Sequence, residues 1–443
     1  MFTFAAVDNT SSNCLFLHRK SSRFMSRFFS NEAFAVMKYR NFRLFLAYRF
    51  FMTSATLMQA VIVGWQLYDI TKNPLSLGMI GLTEVIPQVC IALFAGHFVD
   101  LWDRKQIMSY TSLLLLLGSA ILTASAAKLQ IPFLSGVAPI YVTVFLVGLT
   151  RGILMPAHTA LLGQLVPREL LTGAATWGST AWQVAAVTGP AVGGLVYGFF
   201  GIVPAYVLVF SFFLICVLLL SFMKSPGKVV RENKSDDNIF ASIGEGIRYV
   251  FKNQILLGAF SLDMFAVLFG GAVAMLPVFA SDILKVGPEG LGVLRACPAI
   301  GAIIMSVFLT FYPPVKHSGR QMIYSVGAFG LCMIVFAIST NFYLSAVVLL
   351  LSGSFDFVSV VVRSSILQLF TADEMKGRVS SVNSIFVGSS NELGAFESGT
   401  AASVMGLVPS VIFGGVMTLL VVSVAAVSAP KLRNMSLAEV GKN

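Results

Sequence analysis

Nine charged side chains lie inside the apolar runs of this 443-residue chain: Arg49, Glu84, Arg151, Asp263, Arg295, Asp356, Arg363, Glu392 and Glu397. A charge in such surroundings is expensive unless it meets a partner or a water-filled cavity, so these residues are the ones best placed to do chemistry. That chemistry is of two kinds: ion pairing that holds or releases helices, and proton carriage by an acid whose charged form is disfavoured away from water. Asp356 and Arg363 are seven residues apart, about 20° from a common helix face and two turns separated, so both can point into one cavity. Asp263 and Arg363 fall at similar depth in their runs and could pair across it. Glu392 and Glu397 are five apart, about 140° around a helix, which assigns them different tasks. Four cations and five anions could also serve only as ties between helices. The excess acid is the candidate proton carrier, Asp263 or Glu392 first.

The elements that must position these residues are membrane helices. The chain is 56% hydrophobic and 11% charged, with a mean hydropathy of +0.84, a balance suited to solvation by lipid. Apolar runs long enough to cross about 30 Å of hydrocarbon occur near residues 43–69, 75–99, 106–127, 138–162, 174–199, 202–223, 254–281, 289–312, 321–340, 342–369, 378–405 and 408–429. The third, sixth, ninth and twelfth runs contain none of the nine charges and are expected to form the outer, lipid-facing wall.

One polar interruption, residues 224–252, divides the runs six and six. It carries Lys224, Lys228, Arg231, Lys234, Arg248 and Lys252, and the positive-inside rule puts it in the cytoplasm. By parity most loop Lys and Arg share that side, while Lys72, Lys128 and Lys285 fall on the other. Both termini are therefore expected in the cytoplasm. The net charge of +10 is a topology signal and not a nucleic-acid patch. The expected domains are a basic N-terminal extension 1–33, a first bundle 34–223, the linker 224–252, a second bundle 253–430 and a cytoplasmic tail 431–443. The extension, Ser- and Arg-rich and poor in acid, has the composition of a transit peptide or of an over-long start with Met25 as initiator.

The halves are also alike in detail. Residues 161–176, LLGQLVPRELLTGAAT, align without a gap on 365–380, SILQLFTADEMKGRVS, matching Gln164 with Gln368, Leu165 with Leu369 and Gly173 with Gly377. The loop after the fourth run is thus repeated after the tenth, as a six-span repeat requires.

Other classes find little support. Cys14, Cys90, Cys216, Cys297 and Cys332 form no CxxC pair and read as small core residues. His18, His97, His158 and His317 have no acid or Cys neighbour at catalytic or metal-ligand spacing, so neither an enzyme nor a metal or cofactor site is expected. There is no phosphate-binding GxxxxGK[ST] loop for ATP-driven transport. A receptor would need an output domain, for which the non-membrane segments are too short.

Several stretches resemble the major facilitator superfamily, and within it the branch of enterobactin-exporter-like and multidrug efflux transporters. GHFVDLWDRK, residues 96–105, is similar to the superfamily loop between spans 2 and 3 through Gly96, Asp100, Asp103, Arg104 and Lys105, and departs from it at Leu101, where the family has Arg. VTGPAVGGLVYG, residues 187–198, resembles the glycine-proline motif of exporters through Gly189, Pro190, Gly193 and Gly194. The missing Cβ atoms let a partner helix approach, and Pro190 permits a bend. Residues around spans 1–2, 7–8 and 10–11 resemble the narrower branch, including Asp263, Asp356, Arg363, Asn391, Glu392 and Glu397. The resemblance implies that spans 1, 4, 7 and 10 line a central cavity, 2, 5, 8 and 11 form the interface between halves, and 3, 6, 9 and 12 support them. It also implies a latch function for the 96–105 loop.

The expectation is an all-α integral membrane protein of twelve transmembrane helices in two pseudo-symmetric six-helix bundles. It would act as a monomer in the lipid bilayer of a bacterial inner membrane, exporting a small amphipathic molecule, siderophore-like or a drug, by proton antiport. Uptake of a siderophore, nutrient or lysophospholipid is the rival. Arg49, Trp65, Gln66, Tyr68, Trp182, Gln183 and Asn391 are the candidates for lining the substrate cavity, and Glu84, Arg151 and Arg295 join the charge network.

Overall fold

The computed structural model describes residues 34–128, 135–225, 239–372 and 375–437, without the side chains of 93–101, 239–243, 381, 384 and 385. The basic extension with Met25, the linker stretch 226–238 and the last six residues lie outside the described residues, as do the side chains of Gly96 and Asp100. All described elements are helical: α1 Arg40–Thr71, α2 Pro74–Leu101, α3 Arg104–Ala126, α4 Ala138–Leu165, α5 Leu171–Phe200, α6 Ile202–Phe222, α7 Gln254–Ile283, α8 Pro288–Phe311, α9 Ser318–Ile338, α10 Phe342–Phe370, α11 Lys376–Met405 and α12 Leu407–Ser428. A linker helix, Ile239–Lys252, precedes α7.

Eleven of these are long and apolar enough to cross a membrane among the described residues. The exception is α11, which has the length, 30 residues, but carries the run of Ser, Asn and Glu that lowers its hydropathy. It is also the helix that bears Glu392 and Glu397. The expected count of twelve thus stands at eleven by composition, with α11 filling the remaining place in the packing.

The two halves repeat each other at their turns. Lys72 and Lys285 follow α1 and α7 in the same left-handed conformation, φ 48° and 54°. Gly201 and Gly406 join α5 to α6 and α11 to α12 with φ 88° and 89°, a region open to glycine without strain. Packing repeats as well. In the first half α1 lies against α5 and α6, α4 against α2 and α3, and α3 against α6; in the second, α7 lies against α11 and α12, α10 against α8 and α9, and α9 against α12. The outer helices present apolar stripes to the exterior, such as Leu113 and Leu117 on α3 and Val416, Leu420, Val424 and Val427 on α12, as a lipid-facing wall requires.

One run does not form a single α-helix. α7 is α-helical over Gln254–Phe269, tightens into a 3-10 turn at Gly271–Met275 and widens into a π-turn at Phe279–Ile283. The cause is close packing: a Cβ on Gly271 would stand 2.5 Å from the Gly394 carbonyl oxygen and from Ser398 Oγ of α11. Irregular backbone at membrane depth is tolerated where protein surrounds it.

Candidate functional site

Two helix pairs join the halves, α2 with α11 and α5 with α8, and glycine sets both. On α5, Gly189 and Gly193 face α1, where added Cβ atoms would meet Ser54 O at 2.9 Å and Met58 Cγ at 2.5 Å; Gly194 faces the other way, where an added Cβ would stand 2.6 Å from Gly292 Cα of α8. A Cβ on Gly292 would in turn stand 2.8 Å from Pro190 O. The glycine-proline stretch is thus wedged between its own bundle and the opposite one. Between α2 and α11 the matching contacts are Gly78 against Gly399 and Gly81 against the Glu392 carbonyl oxygen.

These contacts gather at one end of the molecule. Gly78 and Gly399, Gly194 and Pro288, and the hydrogen bond from Tyr68 of α1 to Asp282 of α7 all lie toward the end opposite the basic loops. Deeper in, Met155 of α4 is 67% exposed, and Thr159 one turn below it and Asp356 in the middle of α10 are exposed. Among the described residues, these closest approaches between the halves lie toward the end opposite the basic loops.

The sequence-predicted charges form two clusters. Arg151 of α4 binds Glu84 of α2 and, at 2.8 Å, Glu392 of α11. One guanidinium thereby bridges an acid of its own half and an acid of the other. Glu84 and Glu392 are largely covered while Arg151 keeps 42% of its side chain open, and Arg295 of α8 stands within Coulombic range of Glu392. The backbone makes room for this arrangement, because Gly148 lets α4 approach the Glu84 carbonyl oxygen, 2.2 Å from where its Cβ would stand.

The second cluster belongs to the second half. Arg363 of α10 donates to Asp263 of α7, as their depths suggested, and both are buried, at 8% and 4% exposure. Asp356 lies in the field of both but makes no hydrogen bond among the described residues. Glu397, five residues from Glu392, accepts only from its neighbour Ser398 at 3.3 Å, so the two glutamates do have different surroundings.

The remaining candidates divide. Trp182 is 47% exposed on α5, beside the half-buried Gln183; Trp65 is half-buried against the core. Gln66 accepts from Tyr206 of α6 at 2.5 Å, a tie within the first bundle. Tyr68 belongs to the end opposite the basic loops, and Asn391 donates back to Val387 O at 2.8 Å on its own helix. In the 96–105 loop, Asp103 caps α3 by accepting from Lys105 N at 2.8 Å and from Ser225 Oγ; Arg104 is buried and Lys105 half-buried. Sequence reasoning missed Asp282, Gly78, Gly292 and Gly399. The sequence signal of the three glycines was recurrence of small residues along the runs, which ordinary helix packing also produces.

The geometry agrees with what the chain is similar to. A family model described as "Transmembrane secretion effector" matches residues 31–442. Macrolide efflux protein A of Streptococcus pyogenes is 23% identical over 265 residues, which cover 59% of this chain and 63% of that protein, so the match spans less than two thirds of the relative. The multidrug efflux pump Tap of Mycolicibacterium fortuitum is 22% identical over 386 residues, 84% of this chain and 92% of that one. Among solved structures, a POT peptide transporter superposes with a TM-score of 0.70 at 12% identity, covering 89% of this chain and 95% of its own. A bacterial homologue of the human lysosomal transporter Spinster, inward-facing and unoccupied, superposes with a TM-score of 0.65 at 14% identity, covering 90% and 97%. With the family model spanning nearly the whole chain over a two-bundle helical fold, the protein is a membrane transporter of the major facilitator superfamily and belongs to the transmembrane secretion effectors.

Proposed function

We propose that the protein exports a small amphipathic solute, drug-like or siderophore-like, in exchange for protons, as a monomer with the basic end facing the cytoplasm of a bacterial cell. The observation that carries this reading is the bridge of Arg151 to Glu84 and Glu392. It ties α4 to α11 as an ion pair only while Glu392 is charged. A proton arriving on Glu392 removes its charge and weakens the ion pair; Arg151 stays on Glu84, and the tie between halves is loosened. The halves then rock about the glycine contacts of α2 with α11 and α5 with α8. Coupling follows if solute and proton favour different states of this one equilibrium. Asp263 with Arg363 is the second candidate carrier, held wholly within its own bundle. Export as the direction is supported by the efflux relatives and by the glycine-proline stretch of α5.

Transport into proteoliposomes with an imposed pH gradient tests the proposal, using wild type, Glu392→Gln and Asp263→Asn against macrolides, catecholate siderophores and aromatic dyes. The expected result is gradient-driven movement by wild type, and in Glu392→Gln exchange of solute that no longer responds to pH. Identical pH responses in all three proteins would sink proton coupling through these acids. Accumulation confined to the opposite orientation would make the protein an importer.

A further inference from the structure

Of the four arginines among the nine membrane charges, three come with acids and one does not. Arg363 holds Asp263, Arg151 holds Glu84 and Glu392, and Arg295 stands in the field of Glu392. Arg49 of α1 makes no hydrogen bond or ion pair among the described residues. Its guanidinium lies against α5 where Gly178 leaves space, Nη1 falling 3.6 Å from the position a Cβ would take. The titratable group in its field is His158 of α4. His158 packs edge-on to Phe45 and Tyr48, with ring centroids at 6.0 and 5.6 Å, and its Nε2 is buried without a hydrogen-bond partner. Two polar groups are therefore left unsatisfied on one patch where α1, α4 and α5 meet. The patch lies beside Thr159 and one turn from Met155, both exposed.

The repeat makes the vacancy specific. Aligning α1 with α7 in sequence on their terminal Lys72 and Lys285 sets Arg49 on Leu262, the neighbour of Asp263. The Gln164 and Gln368 match likewise brings His158 of α4 to within one residue of Arg363 on α10. Arg49 with His158 thus stands near the first-half position of the Asp263–Arg363 ion pair, with no acid beside it among the described residues. An uncompensated guanidinium at membrane depth is costly and calls for an anion from elsewhere.

We propose that this patch is an anion subsite of the transport cavity. The carried solute has an anionic oxygen, a carboxylate or phenolate, that accepts from the Arg49 guanidinium and from His158 Nε2–H, in the role Asp263 plays toward Arg363. This rests on the transporter reading above and adds the charge of the substrate class. Planar, delocalised Arg suits such an oxyanion better than the point charge of Lys.

The test uses pyrenebutyrate and its methyl ester, which differ only in the charge, binding to the full-length protein in lipid nanodiscs and read by energy transfer from tryptophan. Wild type should bind the acid at least about tenfold tighter than Arg49→Gln does, as loss of a charge-assisted contact implies. Arg49→Lys should recover part of that, and the ester should bind wild type and Arg49→Gln alike. Thermal melting without ligand gives an independent readout. Arg49→Gln should melt at or above wild type, because it removes a charge with no counter-ion, whereas Arg363→Gln should melt lower. Equal loss of acid and ester in Arg49→Gln, equal binding of the acid by both proteins, or melting of Arg49→Gln as low as Arg363→Gln overturns the subsite and leaves efflux standing. Binding of neither probe by wild type overturns the reading of an amphipathic, aromatic cargo together with the subsite built on it.

Discussion

At the scale of single residues, the value of a membrane charge depends on what it is paired with. Asp263 and Arg363 neutralise each other in a site closed to water, and removing one partner leaves the other buried and unpaired, a loss of about 3–5 kcal/mol. Arg363→Gln is therefore expected to lower the melting temperature sharply. The double variant Asp263→Asn with Arg363→Gln should recover much of the loss, because neither change then strands a charge; melting of both proteins in the same detergent checks this. Arg151 is different, since it keeps contact with water and touches both halves, and its task is to report the charge state of Glu392. The nine charged positions and the Asp263–Arg363 pairing were legible in the sequence, because charge in an apolar run is rare and helix periodicity fixes facing. The Arg151 bridge was not legible, because the partner of Arg151 in the other half is 241 positions away and periodicity says nothing about which helices meet.

At the scale of elements, glycine decides where helices touch. Gly194 and Gly292 bring α5 and α8 to backbone contact, and a Cβ on Gly194 alone would lie 2.5 Å from Pro288 O. Gly194→Val is expected to wedge these helices apart, costing about 1–3 kcal/mol as overpacking does and slowing transport at least about tenfold. Gly163→Ala is the control: nothing lies within 4 Å of its Cβ position. Because α4 is helical there, Ala should stabilise by about 0.5–1 kcal/mol and leave transport unchanged. Solute flux and melting on the same preparations separate the two outcomes. The glycine-proline stretch of α5 stood out in the sequence, but its two-sided role, with Gly189 and Gly193 toward α1 and Gly194 toward α8, became visible only in the packing.

At the scale of the whole molecule, the closest approaches between the halves lie toward the end opposite the basic loops, and Tyr68 with Asp282 joins the halves there. With the native cysteines replaced by serine, Met155→Cys should react with a membrane-impermeant maleimide applied from the basic side and resist it from the opposite side. Adding Tyr68→Phe removes a hydrogen bond to a carboxylate, worth about 1.5–3 kcal/mol, and should shift the balance toward the state open at the other end, raising labelling from there about tenfold. Equal labelling from both sides in the Tyr68-containing protein would remove the latch from the account.

Local physics made much of this protein legible in its sequence. Hydrocarbon thickness and backbone hydrogen bonding dictate helices of a given length, loop Lys and Arg set the orientation expected of them, and duplication leaves a register such as Gln164 with Gln368. These depend on neighbours along the chain. The interruption of α7, the polar character that sets α11 apart, the joining of α4 to α11 through Arg151, and the stranding of Arg49 beside His158 depend on which helix lies against which. Lipid is as apolar as a leucine side chain and does not rank one helix pairing over another, so the choice falls to glycine contacts and a few charges, and only the folded molecule reveals where those meet.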